Sequence, residues 1–328
     1  MSLPVVLKAE ALSIGYSKKV IAPRLDLTLA AGELVCLLGQ NGAGKSTLIR
    51  TLAGMQSPLN GRVLLMGDDV RRLDARTLAQ RLSIVLTERV DVGALTVYDL
   101  VALGRYPYTD WTSRLQPDDQ AAVVRALEAV GALDLAYRPV GELSDGERQK
   151  AMIARALAQE PALIILDEPT AFLDLPRRAE IMFLLRDLAR ASGRAILLST
   201  HDLDLALRTA DRVWLLAQGT LSDGAPEDLV LSGAFASAFQ NEGVVFNTSE
   251  GAFHVERPQR TPIRLVGEGL QRVWTARALE RAGYAVVDTS PDWVEVGAGV
   301  DGVRYRSLHG GSVRDYDTIY ALIAGLRG

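Results

Sequence analysis

The run Gly39-Gln40-Asn41-Gly42-Ala43-Gly44-Lys45-Ser46-Thr47 has the residue types and spacing that hold a chain of phosphates. Its glycines let the backbone wrap closely around phosphate oxygens. N–H groups at the start of a following helix then point at the anion, and the helix dipole adds favourable potential. Lys45 is placed to neutralise charge on the β- and γ-phosphates, and the Ser46 hydroxyl to hold Mg2+. A second group closes the apolar run Leu163-Ile164-Ile165-Leu166 with two adjacent carboxylates, Asp167 and Glu168. Asp167 suits Mg2+, and Glu168 suits the orienting and deprotonation of an attacking water. An acidic pair after a strand also reads as a loop or helix cap, and it is the company of the Lys45 loop that selects the chemical reading.

Both groups need strands that end at one edge of a sheet, since ligands of open α/β sheets bind beyond the carboxyl ends of their strands. The residues 34–38 form a fully apolar strand-sized run, followed by the glycine loop and then by the helical spacing of Leu48, Ile49, Leu52 and Ala53. Runs at 162–166 and 195–198 also lack alternation, as parallel strands covered on both faces do. Helical patterns lie at 147–159 and 177–191. Before this α/β core, residues 5–35 alternate apolar and polar side chains, which predicts antiparallel strands turning at Gly15 and Gly32. Residues 95–160 read as a helical insert. The pattern loosens near Gly224, and 243–261 reads as strands or loop. A second small unit follows, with strands at 263–266, 284–287, 293–296 and 303–305 and helices at 270–282 and 316–326.

A length of 328 residues fits about two domains at a prior of roughly 100–200 residues each. With 36 Lys+Arg against 40 Asp+Glu the formal charge is -4, which excludes a protein-wide basic field for nucleic acid. The one cysteine, Cys36, lies inside an apolar run, reads as a buried strand residue and fits a reducing, cytosolic setting. No apolar stretch approaches the ~20 residues that span a bilayer. The start of the chain lacks the pattern of a signal peptide.

The ordered set of motifs resembles the ATP-binding subunits of ABC transporters over about residues 5–230. Leu143-Ser144-Asp145-Gly146-Glu147 is similar to that family's signature motif, Phe172-Leu173-Asp174 to its D-loop, and His201 to its switch histidine, while Tyr16 sits where the family stacks an aromatic ring on adenine. Each has a plainer reading. Ser144 and Glu147 form an S-x-x-E capping box, and His201 and Tyr16 taken singly are ordinary structural residues. The ensemble promotes them. The resemblance implies an α/β fold: a P-loop ABC ATPase cassette over residues 1–240, with a RecA-like core, an antiparallel β subdomain and a helical subdomain at about 88–160. A small C-terminal α/β domain over 255–328 lies outside the core likeness, with regulation or dimerisation as its default role.

The resemblance further implies catalytic roles for Glu168 and His201, and nucleotide contacts from Tyr16, Gly39, Asn41, Gly42, Gly44, Lys45, Ser46, Thr47, Ser144, Gly146 and Asp174. Mg2+ falls to Ser46 and Asp167, and the ligands are ATP and Mg2+. One phosphate loop and one signature per chain imply a head-to-tail C2 homodimer closing on two ATP molecules. Separate permease subunits and a substrate-binding protein are implied as partners, with the chain peripheral on the cytoplasmic face of the membrane and no nucleic acid. Two positions depart from the family. Thr87 or Glu88 occupies the place of a loop glutamine, and Asp145 that of a signature glycine. The segments Leu103-Gly104-Arg105-Tyr106-Pro107-Tyr108 and Ala171-Phe172-Leu173-Asp174-Leu175 are similar to the branch that takes up iron-siderophores, haem and cobalamin. The alternatives are a soluble ABC ATPase of DNA repair, chromosome structure or translation, which would carry coiled-coil arms or two cassettes, and a nucleotide-sensing module, which would not need Glu168 and His201. Gly267 and Gly269 suggest either a phosphate turn or simple turn geometry.

Overall fold

The computed structural model describes residues 3–17, 19–87, 95–110, 114–239, 244–247, 252–255, 261–299 and 302–327. The chain divides into two compact units, one of residues 1–241 with 245–254 and one of 242–244 with 255–328.

Among its described residues the first unit carries a four-stranded and a six-stranded sheet, with a further pair of strands near its end. β1 (Val5–Tyr16) and β2 (Lys19–Ala30) pair antiparallel along their whole length. A register shift between Ala9 and Leu12, with Ala11 at φ 46°, inserts a bulge into β1. It explains why the buried positions change from Leu7 and Ala9 to Leu12 and Ile14, which differ in parity. Gly15 is not the turn that its residue type suggests. It pairs with Val20 inside the hairpin, and a Cβ there would lie 2.1 Å from the Lys19 carbonyl oxygen, so close backbone approach is what requires glycine. The reversal falls at Ser17, whose φ is 45°. β3 (Leu34–Leu38) opens the second sheet, whereas β4 (Asn60–Leu65) and β5 (Asp68–Asp69) complete the first in the order β2-β1-β4-β5.

The second sheet adds β6 (Leu82–Val85), β7 (Leu163–Asp167), β8 (Ala195–Ser199), β9 (Arg212–Ala217) and β10 (Thr220–Gly224), in the order β10-β9-β3-β8-β7-β6. β3, β6, β7, β8 and β9 run parallel and β10 antiparallel. Its apolar runs do not alternate because both faces are covered. Cys36 and Leu38 pack into the core shared with the helices, and Val35 and Leu37 into the core shared with β1 and β2. Burial pushes the Cys36 thiol well above its ordinary range, as expected of an inert core cysteine.

α1 (Lys45–Leu52) follows β3, and α2 (Ala75–Arg81) precedes β6. The helical insert comprises α3 (Val97–Ala102), α4 (Pro117–Ala129) and α5 (Asp145–Ala158). Gly104 lets it close tightly, since a Cβ there would meet the Arg155 carbonyl oxygen at 2.3 Å. Arg105, 5% exposed, then ties the insert together. Its Nε donates to Asp119 Oδ1 at 2.9 Å, and its Nη1 to the Ala158 carbonyl at 2.8 Å and to Glu160 Oε2 at 2.7 Å. α6 (Leu175–Ser192) starts on the Asp174 cap and ends at Gly193 in the left-handed region. α7 (Leu203–Thr209), α8 (Pro226–Leu231) and α9 (Ala234–Phe239) complete the helices, and β11 (Val244–Asn247) pairs with β12 (Ala252–Val255).

The second unit is a five-stranded mixed sheet of β13 (Thr261–Val266), β14 (Tyr284–Val287), β15 (Trp293–Gly299), β16 (Gly302–His309) and β17 (Ser312–Tyr316), in the order β14-β13-β15-β16-β17. α10 (Gly269–Ala282) and α11 (Ile319–Arg327) bury Leu279, Leu322 and Leu326 in its core with Ile263, Leu265 and Val294. Gly267 has φ 134°, and a Cβ there would lie 2.7 Å from the Val296 carbonyl oxygen. Turn geometry accounts for that glycine without a ligand. Among the described residues, no helix is long and apolar enough to cross a membrane.

Candidate active site

The sheet order places β8 between β3 and β7, so that the glycine loop leaving β3 and the acid pair closing β7 flank the end of one strand. Within the loop, Gly39, Gly42 and Gly44 have φ of 154°, 79° and 108°. A Cβ on Gly39 would approach the Leu216 carbonyl oxygen to 2.3 Å, and one on Gly44 would approach Ile21 Cγ2 to 2.4 Å, whereas Gly42 faces open space. The loop is thus fixed on its protein side and open on the other. Asn41 and Ser46 are exposed there. Lys45 is 6% exposed and bridges the loop, donating from Nζ to the Gly39 carbonyl at 2.9 Å and to the Gln40 carbonyl at 3.3 Å. Burial pulls its ammonium below the ordinary lysine range, and the nearby Glu168 and Asp167 charges oppose that shift. Tyr16, half exposed at the end of β1, has its hydroxyl 3.0 Å from Thr47 Oγ1.

Across β8, the Ser199 hydroxyl donates to Asp167 Oδ1 at 2.6 Å and accepts the Glu168 N–H at 2.9 Å. Glu168 sits in the left-handed region at φ 51°, a strained conformation for a residue with a Cβ. Its Oε1 lies 2.6 Å from His201 Nε2. Thr87, just beyond β6, donates to the Asp167 carbonyl oxygen at 2.6 Å. Its hydroxyl is therefore engaged with the backbone of β7. Glu88, the other candidate at that loop, lies outside the described residues. Ser46 and Asp167 offer hydroxyl and carboxylate oxygens, a donor set that suits Mg2+, which takes one or two protein oxygens and completes its shell with phosphates and water.

Ser144, Gly146 and Asp174 lie at two other helix starts, and Ser144 and Asp174 are bonded within their own first turns. Ser144 caps α5 in a reciprocal box. Its N–H and hydroxyl both donate to Glu147 Oε2, at 2.8 and 2.7 Å, and the Glu147 N–H returns to the Ser144 oxygen. Asp174 Oδ1 accepts the Arg177 N–H at 3.0 Å, and a Cβ on Gly146 would lie 3.5 Å from Arg177 Cδ. The sequence reading missed Ser199. A serine ending an apolar run two residues before His201 was its only signal.

Residues 23–171 match the ABC transporter family, and residues 259–327 match the iron ABC transporter C-terminal domain. The achromobactin transport ATP-binding protein of Dickeya dadantii is 41% identical over 220 residues, covering 67% of this chain and 82% of that protein. The ferric enterobactin transport ATP-binding protein of Escherichia coli is 37% identical over 225 residues, with 68% and 83% covered. Among solved structures, the cbiO1 subunit of the ABC transporter complex cbiONQ from Clostridium perfringens superposes with a TM-score of 0.64 at 30% identity, covering 71% of this chain and 94% of that one.

Proposed function

The chain belongs to the family of ATP-binding subunits of ABC transporters, which are ATPases, and from that premise we propose that it powers import of an iron chelate or a related metal-organic nutrient such as haem or cobalamin. The observation that carries the ATPase assignment to particular residues is the convergence of the Lys45 loop, Asp167, Glu168 and His201 around the end of β8. The nutrient class is supported by the achromobactin and ferric enterobactin relatives and by the match of the C-terminal unit.

In this reading the Tyr16 ring stacks on adenine, and the loop amides with Asn41 and Thr47 enclose the phosphates. Lys45 exchanges the Gly39 and Gln40 carbonyls for phosphate oxygens. Ser46 and Asp167 would hold Mg2+, which would supply positive charge against the phosphates. Glu168, held by His201, orients a water and takes its proton as the water oxygen bonds to the γ-phosphorus and the bond to the β-phosphate oxygen breaks, leaving ADP and phosphate. A second copy, related by a C2 axis, presents Ser144, Gly146 and Asp174 to the same nucleotide, and the Ser144 hydroxyl leaves Glu147 for the γ-phosphate. Closure and release of this pair would be transmitted to permease subunits docked on the cytoplasmic face of the membrane, with a substrate-binding protein delivering the cargo.

The purified chain should hydrolyse ATP, lose nucleotide binding in the Lys45→Ala variant, and co-purify with permease subunits co-expressed with it. Retention on DNA or ribosomes in place of the permease would assign it to a different class of ABC ATPase.

A further inference from the structure

We propose that Ser199 is a positioning residue for hydrolysis, whose single hydroxyl sets the orientation of the Asp167 carboxylate and the backbone of Glu168 together. The inference rests on the ATPase reading above. Ser199 is fully buried at the end of β8, the strand between the one that feeds the phosphate loop and the one that ends in the acid pair. In the parallel registers it faces Leu37 on one side and Asp167 on the other. It is thereby the polar side chain at the centre of the edge on which both halves of the site are built.

The polarity of its two bonds is determined. The Glu168 N–H can only donate, so the Ser199 oxygen accepts there at 2.9 Å, and its own hydrogen is directed to Asp167 Oδ1 at 2.6 Å. The first bond helps hold Glu168 at φ 51°, in the left-handed region that a glutamate avoids, and the Glu168 carboxylate then reaches His201. The second engages Oδ1 of the Asp167 carboxylate, a group that would hold the cation. Thr87 holds the carbonyl of the same residue, so Asp167 is fixed at both its main chain and its side chain. A group that orients a metal ligand from behind typically carries a 10–100-fold share of metal affinity or activity.

The test compares Ser199→Ala and Ser199→Thr with the wild type in two measurements, binding of a fluorescent ATP analogue with EDTA or with a Mg2+ series, and steady-state hydrolysis over the same series. For Ser199→Ala, binding in EDTA should match the wild type, the Mg2+ concentration that half-saturates the binding response should rise about tenfold, and kcat should fall on the order of 10–100-fold. Ser199→Thr, which keeps the hydroxyl, should recover most of both. A Ser199→Ala variant with the wild-type Mg2+ response and rate overturns the proposal, as does one that loses EDTA binding as fully as Mg2+ binding, or a Ser199→Thr variant impaired equally. A wild type that binds no nucleotide in either condition would instead remove the ATPase reading beneath it.

Discussion

Replacing Arg105 with alanine should destabilise the helical insert more than any change on its surface. The guanidinium is 5% exposed and makes three bonds, to Asp119 Oδ1, to the Ala158 carbonyl and to Glu160 Oε2. The losses are unequal. Glu160 is 39% exposed, keeps Arg125 as a second partner at 3.2 Å, and can be rehydrated. Asp119 is 8% exposed in its side chain, and although Oδ2 still accepts the Gln116 N–H that starts α4, Oδ1 would be left buried without its donor. The Ala158 carbonyl, at the last turn of α5, would lose its donor too. Breaking one side of a buried pair typically costs about 3–5 kcal/mol. For a unit of this size each kcal/mol lowers Tm by about 2–4 °C, so a drop of about 6–20 °C is expected in calorimetry of the full chain. Arg105→Ala combined with Asp119→Asn should recover part of the loss, because the stranded charge is removed. An Arg105→Ala variant melting within about 2 °C of the wild type would refute this account of the pair.

Two further outcomes follow from the site. Thr87→Val keeps the side-chain shape but removes the donor to the Asp167 carbonyl; losing about 1 kcal/mol of positioning should lower kcat about fivefold with nucleotide affinity unchanged, and an unaltered kcat would show that the bond does not position Asp167. Because burial holds the Lys45 pKa below the ordinary lysine value, its charge is lost at a pH lower than for a free lysine. The desolvation cost of that charge is present at pH values below the lowered pKa and is relieved as pH rises through it, while phosphate binding needs the charged form. ATP affinity measured from pH 7 upward should therefore fall before the ordinary lysine range near about pH 10.4 is reached, and a flat profile up to that point would contradict the assignment.

Much of this site was legible in the residues themselves, for definite reasons. A glycine-rich loop between an apolar run and a helical pattern leaves the chain few alternatives, and β3, the loop and α1 form as their sequence implies. The acid pair was equally readable, since Asp167 closes β7. Other features depend on partners far away in the chain. Glu168 takes a left-handed backbone in which its N–H donates to Ser199, on another strand. Gly104 and Arg105 read as a family likeness, and their physical content emerges only when α4 and α5 are packed against them. Gly15 was misread as a turn because its requirement, close approach to Lys19, is set by pairing rather than by local sequence. The hairpin strand β17, exposed along its first four residues, offered no apolar pattern to detect.

The central claim is that Glu168 acts on the attacking water at a site that binds ATP without it. Glu168→Gln keeps the size of the side chain and removes the proton acceptor, and general-base catalysis of this kind supplies about 10²–10⁴-fold. The direct measurement is ATP turnover and nucleotide binding by this variant, with its oligomeric state followed in the presence of ATP and Mg2+. The account predicts retained ATP binding, turnover lowered at least about 100-fold, and a dimer that persists while ATP remains uncleaved. Hydrolysis at the wild-type rate would contradict it.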